Sequence, residues 1–230
     1  NVSSLERCKG GAMDYQIVKA TIPEAVVERW QHFVDTISSL LGAPSAMINR
    51  LDPPELEVFR SSIGPCNPFP AGTRMPLLGI YCEAAVKRRQ RVQVTDARND
   101  PEWADSPTAK AGIYAYLGFP LFWPDGNVFG TLCVVDTKEN LWGEYAETLL
   151  ATFKDAIETH LLLVYANQTK SDFLTIMSHE IHSPMTAILG YSEFLMGSNL
   201  DPEQRKAVTA IRRNSDYLTQ LVNEILHFSQ

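Results

Sequence analysis

Three consecutive polar residues, Ser178, His179 and Glu180, interrupt an apolar stretch over residues 173–190, FLTIMSHEIHSPMTAILG. An imidazole offers a nucleophilic nitrogen near neutral pH. A neighbouring carboxylate can orient the ring or take its proton while the other nitrogen attacks. At about 100° per residue, Phe173, Met177, Ile181, Pro184, Ile188, Tyr191 and Leu195 share one helical stripe. His179 points away from that stripe. The pattern describes a packed helix that holds a histidine out to a visiting partner. A lone histidine on a wet helix face is usually only solvated, so its neighbours must carry the functional reading. Zinc fails on spacing: the metalloprotease motif sets its two histidines at i and i+4 around a glutamate. His179 and His182 are three apart, with no third ligand evident.

The stretch resembles the phosphoacceptor box of sensor histidine kinases of the HisKA type. That pattern runs Phe, three residues, an apolar residue, Ser-His-Glu, Leu or Ile, Arg, Thr or Asn, Pro, then Ile and Gly. Phe173, Met177, Ser178, His179, Glu180, Ile181, Pro184, Ile188 and Gly190 fit it. His182 stands where Arg is usual, and Ser183 where Thr or Asn is usual. The resemblance implies that His179 accepts a phosphoryl group on a ring nitrogen and passes it to an aspartate of a response-regulator receiver domain. It casts Glu180 as base or ring-orienter. In the family, the Thr or Asn four residues after the histidine positions a water for removing phosphate from the partner; Ser183 keeps a hydroxyl there. Pro184 lacks a backbone donor and is expected to bend the helix beneath the nucleophile.

The helix is expected to end near residues 196–199. Asp201, Pro202 and Gln204 supply an N-cap, a proline at N1 and a capping-box partner for a second helix. Val208, Ile211, Ser215, Leu218, Val222 and Ile225 then recur at three- and four-residue steps. Two such helices form a hairpin with half a core, and pairing two hairpins as a homodimeric four-helix bundle completes it.

Upstream, residues 23–41 read as an amphipathic helix with Gly42 as its stop. Residues 45–51 and 55–63 read as antiparallel strands about an Asp52-Pro53-Pro54 turn, followed by a loop over 64–76. A short helix at 78–87, a short strand at 91–95 and an irregular excursion over 99–112, with room for a helical turn, come next. Residues 113–123 and 128–136 form the strongest hairpin, joined by Pro124-Asp125-Gly126-Asn127. The class is α+β with an antiparallel sheet flanked by helices, followed by an all-α hairpin. Residues 22–164 resemble the GAF domain, a small-molecule sensor module. The match rests on the Cys82 helix, Val94-Thr95-Asp96-Ala97 with Asp100, Gly118-Phe119-Pro120-Leu121, and Gly130-Thr131-Leu132-Cys133-Val134-Val135-Asp136. By that resemblance Tyr81, Asp96, Trp103, Tyr114, Tyr116 and Phe119 wall a ligand pocket whose ligand the sequence does not name. Aromatic residues alternating along a strand are otherwise ordinary core. Neither Cys66-Asn67 nor Cys82-Glu83 matches the Cys-His of bilin-binding relatives. His32, the one histidine ahead of the sheet, lies on a helix, away from a haem position. A methionine sulfoxide reductase of this fold would have to use Cys66, Cys82 and Cys133, of which Cys133 reads as a small hydrophobe.

The 230 residues are 45% hydrophobic and 20% charged, with a net charge of −7. That balance argues against a nucleic-acid partner. No apolar run is long enough to span a bilayer, and no secretory signal opens the chain. Four cysteines without zinc or CxxC spacing read as reduced thiols of a cytoplasmic protein. Residues 1–13 read as an irregular leader, 14–164 as the sensor domain with its exit helix, and 165–230 as the dimerisation and phosphotransfer module. The exit helix runs from 142 to about 171. The apolar phase then shifts, because Phe173 lies nine residues after Val164; this is a stutter, or a solvated or frayed stretch. No ATP-binding motif follows, so no cofactor is expected in this segment, while ATP and magnesium are implied for a full-length kinase. The expectation is the sensor and phosphoacceptor portion of a two-component histidine kinase, inactive alone. The alternative is a non-catalytic ligand-binding dimer whose helices dock partners.

Overall fold

The computed structural model describes residues 5–8, 15–18, 20–65 and 67–227, with 5–8, 15–18 and 225–227 described by backbone alone. Strand β1 (Leu5–Cys8) pairs antiparallel with β2 (Tyr15–Val18), in register from Leu5 opposite Val18 to Cys8 opposite Tyr15. This corrects the expectation of an irregular leader over 1–13. Four-residue strands are too short for alternation to register in sequence.

Helix α1 (Glu24–Leu41) begins after Pro23, whose carbonyl accepts from the Val26 and Val27 amides. It stops at Gly42, which takes the left-handed conformation (φ 60°) and bonds back to Ser38. A glycine adopts that geometry without the Cβ penalty other residues carry. Strands β3 (Ser45–Asp52), β4 (Glu55–Ser61), β5 (Arg74–Pro76), β6 (Val92–Val94), β7 (Ala115–Phe122) and β8 (Val128–Asp136) form one antiparallel sheet in the order β5-β4-β3-β8-β7-β6. Strand β5 lies in the segment read as loop. It is a three-residue edge that exists only by pairing with β4. Helices α2 (Tyr81–Arg88) and α3 (Pro107–Lys110), with a 3-10 turn at Ala97–Asn99, sit among the connections.

The sheet is covered on both faces. One carries Ala46, Ile48, Leu117, Leu132 and Val134, packed with Val27, Trp30, Val34 and Ile37 of α1 and with Leu150, Ile157 and Leu161 of helix α4 (Glu144–Met196). The other carries Met47, Val58, Val94, Tyr116, Cys133 and Val135 beneath Tyr81, Cys82, Ala85 and Val86 of α2. Because strand side chains alternate, β3 and β8 feed both cores with adjacent residues. Gly130 is required where these strands meet, since a Cβ there would stand 1.7 Å from the Asn49 carbonyl oxygen.

Two compact units divide the chain, Asn1–Tyr165 and Ala166–Gln230. Helix α4 contributes to each and is unbroken through 167–171, where the exit helix was expected to lose its pattern. That stretch holds no glycine or proline, so its polarity exposes the helix without ending it. In the second unit, α5 (Pro202–His227) folds back on the end of α4, with Thr209 Oγ1 3.9 Å from Met196 Sδ.

In the first unit, the buried Trp30 donates from Nε1 to His160 Nδ1 at 3.0 Å. That nitrogen must stay unprotonated to accept. Burial, then the charge of Arg29, hold His160 below its ordinary value of 6.5. The unfolded chain therefore takes up this proton first as pH falls, so the stabilisation is complete above about 6.5 and is lost as pH drops below it. All four tryptophans (Trp30, Trp103, Trp123, Trp142) lie in this unit, so tryptophan fluorescence follows it alone. Its urea midpoint should fall from about pH 7.5 to about pH 5.5, and His160→Gln should flatten that slope.

Candidate functional site

On α4 the hairpin buries Ser178, Met185 and Ser192 and half-buries Leu174, Ile181, His182 and Leu189. On α5 it buries Val208 and Ser215, seven residues apart, and half-buries Val222. The stripe expected on α4 lies largely outside this seam. Of the residues assigned to it on α4, only Ile181 joins the seam. Serines share the seam with Leu174, Met185, Leu189 and Val208; Ser192 satisfies its hydroxyl on the Ile188 carbonyl at 2.7 Å. Phe173, Met177, Ile188, Tyr191 and Leu195 remain exposed, with Ile176 and Phe194 beside them and Ile211 and Leu218 on α5. Phe194 is 77% exposed and Tyr191 73%, so the apolar surface forms a second face that nothing among the described residues covers.

His179 falls between these two faces, roughly 100° from the seam and roughly 120° from the open apolar face. Thr175, Ser183, Thr186 and Gly190 share its polar strip. The ring is exposed, and no hydrogen bond to it is formed among the described residues. His182 contrasts with it: half-buried, it turns into the seam, with Nδ1 3.1 Å from the Ser178 carbonyl and 3.3 Å from the Ser178 hydroxyl. One imidazole is free and the other is tied to the preceding turn. Ser183 lies one turn on, roughly 40° around the helix from His179. Glu180 is exposed, a full 100° step away, and its carboxylate is not bonded to the ring. Pro184 lies within α4 and removes a donor from the Glu180 carbonyl.

In the first unit, the face of the sheet under α2 holds a small cavity lined by Asn49, Tyr81, Cys82, Tyr116 and Cys133 among others. It offers about 30 Å³ to water-sized occupants, room for about two of them. Asn49 Nδ2 reaches Thr131 Oγ1 at 3.1 Å, Cys133 Sγ at 3.4 Å and Cys82 Sγ at 3.6 Å, while its Oδ1 is buried without a partner.

The family model for the GAF domain matches residues 26–161. The chain belongs to the GAF family. A second family model, the His Kinase A (phospho-acceptor) domain, matches residues 169–230, so the GAF domain is followed by a HisKA hairpin. Over 64 residues the chain is 45% identical to hybrid signal transduction histidine kinase E of Dictyostelium discoideum, covering 28% of this chain and 4% of that protein. Over 65 residues it is 43% identical to sensor protein GacS of Pseudomonas syringae pv. syringae, covering 28% of this chain and 7% of that protein. The chain thus spans a small part of the length of these curated relatives. Among solved structures, the PixJ GAF domain of Thermosynechococcus elongatus aligns with a TM-score of 0.52 at 15% identity, covering 68% of this chain and 94% of that one. The GAF domain of a phosphoenolpyruvate-protein phosphotransferase from Coxiella burnetii aligns at 0.51 and 15% identity, covering 63% and 86%. At these identities the likeness is one of fold.

Of the six residues assigned to the GAF pocket, Tyr81 and Tyr116 line the cavity. Trp103 packs edge-on against Tyr81 at 5.0 Å, one layer out. Asp96 caps the 3-10 turn and grips the Arg98 guanidinium at 2.8 and 2.9 Å. Tyr114 lies under Arg98, 4.7 Å from its ring centre. Phe119 packs against the opposite core. Asp96, Trp103, Tyr114 and Phe119 therefore do not wall this cavity. Asn49 and Thr108 line the cavity without having been named from sequence, and Cys133, read there as a small hydrophobe, lines it too; an asparagine inside a strand of apolar neighbours was the available signal. Cys66 lies outside the described residues, so the three-cysteine arrangement of a reductase is not formed among those described. Among the described residues no cluster suits a metal ion, and no helix is long and apolar enough to cross a membrane.

The capping box of α5 is present in full: Asp201 Oδ1 accepts from the Glu203 and Gln204 amides at 3.0 and 2.9 Å, and Gln204 Oε1 accepts from the Asp201 amide at 3.1 Å. Asp201→Ala should cost the HisKA hairpin about 1 kcal/mol, seen as an earlier loss of helical circular dichroism while tryptophan fluorescence holds its midpoint.

Proposed function

We propose that this chain is the sensor and phosphoacceptor portion of a cytoplasmic two-component histidine kinase, with His179 as the phosphorylated residue. The observation that carries the reading is the contrast between the two histidines: His179 is exposed with its ring unbonded, and His182 is held on Ser178. A ring nitrogen of His179 attacks the terminal phosphorus of ATP, held with its magnesium ion by a catalytic domain of the full-length protein. The bond to the bridging oxygen breaks and ADP leaves. An aspartate carboxylate of a response-regulator receiver domain then takes the phosphoryl group and frees the imidazole. Glu180 receives the ring proton or steadies the ring once a partner closes over it. Ser183, one turn along the same strip, holds a water for hydrolysis of the partner's phosphoaspartate.

The uncovered face formed by Phe173, Ile188, Tyr191, Leu195, Ile211 and Leu218 is the homodimer interface of this reading. On α4 Ile188, Tyr191 and Leu195 follow three- and four-residue steps, and on α5 Ile211 and Leu218 stand seven apart, spacings a four-helix bundle demands. The GAF domain, with its ligand unidentified, biases that bundle.

Supplied with ATP and a separate histidine kinase catalytic domain, the chain should take up acid-labile phosphate. His179→Gln should abolish the label while His182→Gln keeps it. Undiminished labelling of His179→Gln would overturn the assignment, and no labelling of the parent would favour the docking-scaffold alternative. Replacing Tyr191 and Leu195 together by Asp should halve the mass measured by light scattering while helical content is largely kept, because two charges would then face the partner stripe.

A further inference from the structure

The polar cluster beneath α2 has no part in phosphotransfer, and its composition is costly for a structural core. Asn49 Nδ2 lies against the sulfurs of both Cys82 and Cys133, at 3.6 and 3.4 Å, so the two thiols meet at one donor. The Tyr116 hydroxyl donates to Cys82 Sγ at 3.6 Å. A buried cysteine that only fills space needs no such donors, and burying an amide and a phenol among apolar side chains is unfavourable unless they are engaged. Gly118 is part of the arrangement, because a Cβ there would stand 2.0 Å from the Tyr116 hydroxyl. The donors around Cys82, Cys133 first and then Thr131, Tyr116 and Asn49, hold its thiol below the ordinary cysteine value against the opposing cost of burial. Cys133, beside Cys82 and fully buried, is pushed well up. The thiolate is the reactive form of cysteine, so the environment prepares one sulfur and keeps the other protonated beside it.

The space at this cluster is the second observation. Room for about two water-sized occupants is far below the several hundred Å³ of a drug-sized ligand site, yet the buried Asn49 Oδ1 lacks a donor. A molecule of two oxygen atoms carrying an O–H suits both the volume and the orphaned acceptor. Cys82 keeps 8% exposure and Cys133 none, which makes Cys82 the attacking sulfur and Cys133 the resolving one.

We propose that Cys82 and Cys133 form a peroxide-reactive dithiol in the GAF cavity that closes to a disulfide between α2 and β8. Cys82 thiolate attacks one oxygen of hydrogen peroxide, the O–O bond breaks, and the departing hydroxide takes the proton released when Cys82 ionised. Cys82 is left as a sulfenic acid. The Cys133 sulfur then attacks Cys82, the S–S bond forms, and the S–O bond breaks. Water leaves with the Cys133 proton. The two thiols supply both electrons that reduce the peroxide to two waters. The bond would tether α2 to the central strand of the sheet across the cavity. This inference does not depend on the phosphotransfer reading.

The test uses the full chain with Cys8→Ser and Cys66→Ser, treated with stoichiometric hydrogen peroxide and then alkylated under denaturing conditions. Both remaining thiols should be lost to alkylation and return after reduction. With Cys133→Ser added, Cys82 should stop at a sulfenic acid trapped by dimedone; with Cys82→Ser added, Cys133 should stay alkylatable. Circular dichroism establishes that each variant is folded. For any that is not, a peptide map of the oxidised unsubstituted chain decides, with a Cys82–Cys133 linked peptide expected to dominate. Full alkylation of both thiols after peroxide in the folded chain, or disulfides only between chains or to Cys8 or Cys66, would overturn the proposal.

Discussion

Side chains of a regular element leave the backbone only in directions set by its repeat, and both candidate sites follow from that constraint. In a strand the repeat is two, so a strand between two covered faces must alternate between them. Ile48 and Leu132 serve the core under α1, and Asn49 and Cys133, one step along, serve the core under α2. In a helix the repeat is 3.6 residues, which leaves a narrow polar strip when two broad apolar faces are present. His179 occupies that strip.

The same constraint decides what could be read in advance. Helix α1, the β7–β8 hairpin and the start of α5 announce themselves locally, through a stripe with a stop glycine, a turn and a capping box. Strand β5 does not, because its three residues acquire strand geometry from β4. The cavity was only half legible. Tyr116 and Phe119 are three residues apart on one strand, so they face opposite cores, and choosing aromatic residues by type ignored that parity. The β8 segment, buried on both faces, reads as one continuous apolar run in which no position is marked as facing a cavity. The phosphoacceptor box was legible as chemistry and less so as packing. It set His179 away from the apolar stripe, and the ring is exposed, while the periodicity did not separate the residues of the hairpin seam from those of the open face.

The serines of the seam have a structural logic. Small side chains let two helices approach closely, and a buried hydroxyl in a helix can be satisfied on the carbonyl one turn back, as Ser192 does on Ile188. The seam therefore needs less apolar surface, and many large side chains are left for the other face. His182 is accommodated on the same terms. An arginine at this position would carry a permanent charge and a longer arm, whereas the imidazole folds back on Ser178. Its tethering leaves a single imidazole on the strip.

The energetics of the open face explain why such a hairpin calls for a second copy. Burying a large apolar side chain gains about 1.5–3 kcal/mol, and the exposed set includes Phe173, Ile176, Ile188, Tyr191, Phe194, Leu195, Ile211 and Leu218. Self-association counts each of them twice, against an association cost of about 4–15 kcal/mol. The balance favours pairing even if each residue is only partly covered. A heterologous partner could bury the face once, but a two-fold pair buries it with the repeat already matched, since the same three- and four-residue steps stand on both sides. Pairing also leaves the His179 strip uncovered, because that strip lies outside both apolar faces. The geometry that closes the core is thus one that keeps His179 in water.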